Sequence, residues 1–162
     1  DIGYDFFWMD KYAENIFARG FEYNCKDKIS LITSFESFEH FQDPQTDINN
    51  MLKISRNVMF TTQLLPNPIP KPSEWWYYGL SHGQHISFYS LKTLSYIAES
   101  NGLNVYSFGD VHILTENKIS NIKKRLLDLA NRFSTFEPVN VKIGNKTIDD
   151  MNYLISSKKG DN

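Results

Sequence analysis

The segment ISLITSFESFEHFQDP, at residues 29–44, joins an apolar run to an abrupt polar and acidic end. Its apolar side chains predict a buried strand over residues 29–35. Four ionisable side chains then follow within eight residues, namely Glu36, Glu39, His40 and Asp43. Because open α/β sheets bind their ligands beyond the carboxyl ends of the strands, this transition predicts a functional site.

Length and composition favour one globular domain. The chain has 162 residues, of which 41% are hydrophobic and 15% aromatic, so it can form a core and is not disordered throughout. With 17 basic and 19 acidic side chains, it lacks the positive excess that nucleic-acid binding needs. Cys25 is the lone cysteine, and no Cys/His spacing typical of zinc occurs, which favours a reducing, cytoplasmic setting. No apolar run approaches the roughly 18 residues of a membrane span, so we expect no membrane partner.

Strand and helix patterns alternate along the chain. Strands are predicted at residues 4–9, 21–23, 29–35, 57–65, 103–108 and 111–115. Helices are predicted at residues 12–18, 46–54, 91–100, 119–133 and 149–156. The alternation predicts an α/β fold with a mostly parallel sheet flanked by helices. The dipeptide Gly109-Asp110 predicts a terminal hairpin that adds one antiparallel strand at the end of the sheet.

A long loop rich in proline and aromatic residues follows the strand predicted at residues 57–65. Four of the six prolines lie in residues 66–72, so the loop leaves the sheet as a stiff segment. Loops of this length are typical of lids and binding loops. Trp75, Trp76 and Tyr78 are candidates for the wall of a substrate pocket, and the alternative is that they fold back into the core.

The same loop carries His82 and His85, for which several roles stay open. A histidine pair on a divalent ion needs further ligands, and the loop offers only Glu74, so we expect no metal. A neutral imidazole titrates near pH 7, and His82 is therefore a candidate general base or substrate contact. His85 is a candidate substrate contact, or a structural anchor for the turn before the helix that Ser90 caps.

Three segments, in this order, resemble the class I S-adenosylmethionine-dependent methyltransferases, in the small-molecule branch with an E-x-x-E-H signature. They are LITSFESFEHFQDP at residues 31–44, MLKISRNVMFTT at residues 51–62 and HISFYSLKTLSYIAESNGLNV at residues 85–105. The resemblance implies a Rossmann-like sheet in which residues 4–9 form the second strand and residues 29–35 the fourth. We therefore expect a methyltransferase-like domain over residues 1–133 and a C-terminal extension over residues 134–162, with a short helix and a frayed tail.

The resemblance also implies roles for individual side chains. Asp10, at the end of the second strand, would accept hydrogen bonds from the ribose hydroxyls of S-adenosylmethionine, and the alternative is that it only caps a turn. Ser34, Phe35 and Glu36 would line the methionine end of the cofactor. His40, like His82, would assist catalysis at a small-molecule acceptor.

The family's first strand and glycine-rich cofactor loop have no counterpart in the sequence, where Gly3 directly precedes the predicted second strand. We therefore expect an N-terminally truncated methyltransferase that binds its cofactor weakly, and whose parent methylates oxygen, nitrogen or carbon of a small molecule. Two alternatives remain, a non-catalytic interaction module with the same fold and a nucleotide-sugar or dinucleotide enzyme. The exposed strand edges of an incomplete sheet favour homo-oligomers.

Overall fold

A computed structural model describes residues 5–16, 19–81, 83, 85–132, 151–153 and 156. The chain divides into two compact units, Asp1–Asp27 with Phe136–Asn162, and Lys28–Thr135. Each unit is described by itself. The named strands and helices all belong to the second unit. They are β1 (Ile32–Ser34), α1 (Pro44–Ile54), β2 (Asn57–Thr61), α2 (Leu91–Ser100), β3 (Asn104–Phe108), β4 (Val111–Thr115), α3 (Asn121–Arg132) and two 3-10 turns at Phe38–His40 and Trp76–Tyr78.

The four strands form one sheet in the order β1-β2-β4-β3. β1 is parallel to β2, whereas β4 is antiparallel to both β2 and β3, so three of the four strands point the same way. The predicted α/β class with one reversed strand is confirmed in these strands, but the sheet is mixed, with one parallel and two antiparallel strand pairs. The predicted position of the reversed strand is wrong, since β4 lies between β2 and β3. The reason is burial, because Leu114 is fully buried between Val58 of β2 and Val105 of β3, and an outer position would expose it.

The core lies on one face of the sheet, under α1 and α2. Val58 and Phe60 of β2 are fully buried, and the rings of Phe38 and Phe60 stack with their centroids 3.8 Å apart. The two helices contribute their apolar faces to this cluster. Its remaining buried members are Ile48, Leu52, Tyr89, Leu94, Ile97, Ala98, Leu103 and Leu114.

Capping groups at both ends of α2 confirm its predicted limits. The Ser90 side chain accepts a hydrogen bond from Thr93 N at 3.1 Å and is the N-cap. At the other end, Leu103 N donates to Ala98 O at 2.8 Å and Gly102 N to Glu99 O at 3.1 Å. This pair of bonds is a Schellman motif, and Gly102 supplies the left-handed φ of +66° that the motif requires.

The first unit corrects three predictions. Residues 5–9 form no strand, and the backbone pairs only where Trp8 bridges Glu22. A strand needs a continuous ladder, but the bonds from Trp8 N to Phe21 O (2.7 Å) and from Tyr23 N to Trp8 O (2.9 Å) are not continued by further ladder bonds between described residues. The brief strand predicted at residues 21–23 is likewise reduced to this bridge. Residues 12–16 form bends rather than a helix.

Other predicted elements are shifted or only partly described. The strand predicted at residues 29–35 is only the three residues of β1, and it is not buried as predicted, since Leu31 and Phe35 beside it are exposed and none of its own residues is buried. The strand predicted at residues 57–65 is limited to β2. Helix α1 begins two residues earlier than predicted, because Pro44 suits the first helical position. Residues 151–153 and 156 are helical, and the rest of the helix predicted at residues 149–156 lies outside the described residues, as do residues 17 and 18. None of the helices in the described ranges has the length and apolar character needed to cross a membrane.

His112 is the one fully buried histidine among the described residues. Its Nε2 lies 3.0 Å from Thr62 O, and its Nδ1 lies 2.9 Å from Ser107 Oγ. Because a carbonyl oxygen only accepts, Nε2 carries the proton and Nδ1 accepts from the serine hydroxyl. Burial lowers the pKa of His112, against the opposing effects of the Thr62 carbonyl and of Asp110. The residue is therefore packed in its neutral form.

Replacing Ser90 with Ala should lower the free energy of unfolding by about 1 kcal/mol, because the Thr93 amide loses its capping partner. Urea unfolding followed by circular dichroism measures the change. Ser100→Ala is the matched control, since Ser100 is exposed in the last turn of the same helix, and it should change stability by less than about 0.5 kcal/mol. Equal losses in both variants would contradict the capping role.

Stability should decline as the pH falls below the ordinary histidine pKa of 6.5, because unfolding lets His112 take up a proton that the folded state disfavours. The contribution of His112 to the free energy of unfolding is complete above that pH and decreases as the pH falls toward the lowered pKa of the folded state. The total decrease is about 1.4 kcal/mol for each unit by which the folded pKa lies below the unfolded pKa. Urea midpoints at pH 7 and pH 5 measure the decline. His112→Gln, whose amide can still donate to Thr62 O, should show a smaller decline, and an unchanged pH dependence would contradict the assignment.

Candidate functional site

The carboxyl end of β1 leads into a turn with a strained backbone. Glu36 adopts a φ of +51°, in the left-handed region that side chains other than Gly rarely occupy. Thr61, at the end of β2, holds it there. Thr61 Oγ1 accepts a hydrogen bond from Glu36 N at 2.9 Å and donates one to Glu36 Oε1 at 2.8 Å. The carboxylate is thereby fixed at the edge where the two parallel strands end.

Ser34 and Phe35 precede this turn, so the structure brings three of the predicted cofactor residues together. Ser34 is partly buried as the last residue of β1 and pairs with Phe60, while the side chain of Phe35 is 52% exposed. An exposed aromatic ring beside a fixed carboxylate offers one apolar surface and one anionic group to a ligand. Their contact with a cofactor remains a prediction.

A second group of polar side chains follows immediately along the chain. Glu39, His40 and His85 place one ligand atom each within 4.8 Å of one another, and we call them the Glu-His cluster. The rings of His40 and His85 meet edge to face with their centroids 5.0 Å apart. Glu39 is fully buried, whereas neither histidine is. The cluster contains His40, a predicted catalytic residue, and His85, a predicted substrate contact.

Hydrogen bonds from residues 86–89 bring His85 to this position. Ile86 N and Ser87 N both donate to Glu39 O, at 2.8 Å and 3.0 Å. The hydroxyls of the same segment continue the pattern, since Ser87 Oγ donates to Phe41 O at 2.6 Å and Tyr89 Oη to Phe38 O at 3.0 Å. Four bonds therefore fasten the end of the aromatic loop to the 3-10 turn that carries Glu39 and His40.

Tyr77 packs against His85 and accepts a hydrogen bond from it. The imidazole Nδ1 lies 2.6 Å from Tyr77 O, and the two ring centroids are 4.4 Å apart. The phenol of Tyr77 is engaged with Thr62 Oγ1 at 3.2 Å. Burial raises the pKa of this phenol, against the lowering effects of its hydrogen bonds to Thr62 and to the main chain of Gln63. The nearby carboxylate of Glu39 raises the pKa further, so the phenol stays protonated at neutral pH.

The predicted substrate residues of the aromatic loop separate into two groups. Trp75 and Tyr78 pack against each other and against Phe88, with ring centroids 4.9 to 5.8 Å apart, and Tyr78 Oη donates to Pro70 O at 3.0 Å. Trp76 is 72% exposed. His82 lies outside the described residues, so its predicted role as a base stays a prediction.

A groove of about 520 Å³ lies between the start of α1, residues 86–89 and α2. Asp43, Ile86, Phe88 and Tyr96 are among the residues that line it, but Trp75, Trp76, Tyr78 and His85 are not. The predicted substrate residues and the described groove therefore do not coincide.

Asp10 belongs to the first unit. Its Oδ1 accepts hydrogen bonds from Tyr12 N at 2.7 Å and Ala13 N at 2.9 Å, which lowers the pKa of the carboxyl group. The side chain is exposed and ionised at neutral pH. It caps a turn, as the alternative interpretation held, and its contact with a ribose stays a prediction.

Sequence reasoning missed Thr61, Tyr77 and the burial of Glu39. Thr61 acts through its hydroxyl and Tyr77 through its main-chain carbonyl. Neither interaction leaves a pattern in the sequence. Glu39 did have a signal, because a carboxylate directly before a histidine follows a predicted strand. The charge alone, however, predicts an exposed side chain.

Replacing Thr61 with Val should release the turn at Glu36, because the isosteric side chain neither accepts from the amide nor donates to the carboxylate. We expect the Glu36 amide to exchange with solvent faster, and unfolding to cost about 1 kcal/mol less. Amide hydrogen exchange measured by NMR and urea unfolding check both. Thr33→Val, at an exposed position in β1, is the control, and equal protection of the Glu36 amide in both variants would refute the role of Thr61.

The part of the chain that matches a known protein family includes every predicted site residue. Residues 1–107 match the family model described as a methyltransferase domain. No curated protein and no solved structure shows significant similarity to the chain. The matched region contains Asp10, the end of β1, the Glu-His cluster and the aromatic loop. Since the match spans 107 of 162 residues, the chain belongs to the methyltransferase domain family.

Proposed function

We propose that the chain is part of an S-adenosylmethionine-dependent methyltransferase that acts on a small-molecule acceptor. The observation that carries this proposal is the methyltransferase family match over residues 1–107. Membership indicates methyl transfer in general. The cofactor and the class of acceptor are the proposed part, and they rest on the side chains at the end of β1 and in the aromatic loop.

The described side chains fit the chemistry of the cofactor. Asp10 is an exposed carboxylate of lowered pKa that would accept from two ribose hydroxyls through the oxygen not engaged in its turn. Glu36, held by Thr61, would face the positively charged amino group of the methionine part. Phe35 offers an exposed ring, and Ser34 a hydroxyl, at the same edge. These are the donors, acceptors and apolar surface that an amphipathic nucleoside needs.

S-adenosylmethionine, when bound, supplies a methyl group on a sulfonium that an acceptor displaces in line. The protein's task is then to position the acceptor and, for a hydroxyl or an acidic carbon, to remove a proton. His40, beside Glu39 and His85, is the described candidate for that proton transfer, and His82 is the other. Trp75, Trp76, Tyr78 and His85 are the proposed acceptor contacts.

S-adenosylhomocysteine, the product form of the cofactor, should bind this chain, and ligand-observed NMR detects even a Kd near 1 mM, which corresponds to about 4 kcal/mol. We expect saturation transfer from the protein to the adenosine protons of the ligand. Phe35→Ala and Asp10→Asn should each weaken binding by about tenfold, since they remove about 1.4 kcal/mol of contact. Asparagine keeps the oxygen that accepts from Tyr12 N, so the turn should persist.

Leu31→Ala and Asp5→Asn are the matched controls, because both residues are exposed and lie near the tested positions in sequence. They should bind the ligand as the unchanged chain does. No saturation transfer at millimolar ligand would contradict the cofactor assignment and favour the non-catalytic interaction module. Displacement of the ligand by a nicotinamide dinucleotide would favour a dinucleotide enzyme instead.

A further inference from the structure

Helix α3 exposes its apolar side chains and half-buries an acidic one. Ile122, Leu126 and Leu129 follow one another at intervals of four and three residues, so they form a stripe along one face of the helix. Their side chains are 74%, 60% and 51% exposed. Among residues 121–129 only Asp128 is half-buried, and it lies on the opposite face. The described part of the chain therefore leaves this apolar stripe uncovered.

The start of α3 is held against the sheet. Ile119 N donates a hydrogen bond to Tyr106 Oη of β3 at 2.9 Å. Lys124 N donates to Ser120 O at 2.9 Å and closes the first turn of the helix. Helix α3 also contacts β3 directly. Because these contacts fix one side of the helix, the stripe and its flanks are the part that a partner can reach.

Basic side chains border the apolar stripe on both sides. At roughly 100° of rotation per residue, Lys123 lies beyond one edge of the stripe and Arg125 beyond the other. Both are exposed, as is Lys124, and none of the described ion pairs involves them. Since the whole chain has a net charge of -2, these three cations are a local concentration of positive charge. They favour a partner with an anionic surface.

An apolar stripe between basic flanks is typical of helices that lie in the surface of a membrane. The apolar side chains enter the boundary between headgroups and acyl chains, and the cations contact anionic headgroups. Lys and Arg suit the flanks because their alkyl stems can rest on apolar surface while the charge stays in water. The expectation of no membrane partner rested on the lack of a spanning run, whereas contact with a membrane surface needs only one apolar face. No described helix could cross the membrane, so the contact would be with its surface.

Two other occupants fit the stripe less well. In a pairing of two copies, the cations that flank one stripe would face those of the other, and like charges at these positions repel. The helix has 12 residues, so it is about 18 Å long and about 10 Å wide, and its free face is much smaller than the roughly 800 Å² that each partner gives to a stable protein interface. A groove in another protein could not enclose the helix, because its start is held against β3.

We propose that α3 docks this domain on the anionic surface of a lipid membrane. Ile122, Leu126 and Leu129 enter the headgroup boundary, and Lys123 and Arg125 contact lipid phosphates on either side. The helix lies in the plane of the membrane and does not cross it. The inference goes beyond the proposed methyl transfer and does not depend on it.

Flotation of the full chain with phospholipid vesicles tests the proposal. Vesicles of phosphatidylglycerol and phosphatidylcholine in equal parts supply the anionic surface, and vesicles of phosphatidylcholine alone supply a neutral one. We expect the chain to bind the anionic vesicles at least about tenfold more strongly, and to bind less as the salt concentration rises. Leu129→Ala and Lys123→Gln should each weaken this binding by about fivefold, since one removes apolar contact and the other a charge.

Leu91→Ala and Lys92→Gln are the matched controls, because both residues are exposed on α2 and Leu91 has the same exposed fraction as Leu129. Both variants should bind the anionic vesicles as the unchanged chain does. No binding to the anionic vesicles, or equal binding to the neutral ones, would overturn the proposal. Full binding by both Leu129→Ala and Lys123→Gln would also overturn it.

Two further measurements distinguish the other possible occupants of the stripe. Self-association of the chain in sedimentation velocity, abolished in Leu129→Ala, would mean that a second copy covers the stripe. A lower urea midpoint for Leu129→Ala than for Leu91→Ala would mean that Leu129 is packed within the chain. Either result would overturn the proposal. We expect a monomer at the stripe and equal urea midpoints for the two variants.

Discussion

The main-chain carbonyls of Phe38, Glu39 and Phe41 are the groups on which the candidate site depends. They lie in a short 3-10 turn and its exit, where only Phe38 O has a donor within the turn, from Phe41 N, and the segment at residues 86–89 donates to all three. The same segment precedes α2 and packs Tyr89 into the core. Loss of these bonds would therefore separate His85 from Glu39 and leave the carbonyl of the buried Glu39 without the donors that it has here, which couples the site to the stability of the fold.

Much of the second unit could be predicted from the sequence, because its signals are local. Ser90 and Gly102 mark the ends of α2, and Gly109 marks the hairpin, since each supplies a specific cap or turn. The position of β4 could not be predicted, because strand order depends on which buried faces meet. Leu114 pairs with Val58 across a long separation in sequence, and no local pattern records that pairing.

The candidate site, too, could be predicted only where its sequence signals are local. The run of charged side chains after β1 was visible, and the structure gathers Ser34, Phe35 and Glu36 at that edge. The meeting of His40 with His85 was not visible, because it depends on hydrogen bonds from residues 86 and 87 to Glu39 O, which join two segments far apart in sequence. The predicted strand at residues 4–9 failed for a related reason, since a short apolar run forms a strand only where a partner continues the ladder.

The positive φ of Glu36 places two demands on one residue that oppose each other. Glycine would adopt this backbone conformation without strain, but it has no carboxylate to accept the bond from Thr61. Any side chain that keeps the acid must also bear the left-handed backbone. Selection for an unstrained backbone alone would favour glycine here. The glutamate therefore marks a position where a strained backbone accompanies a fixed negative charge.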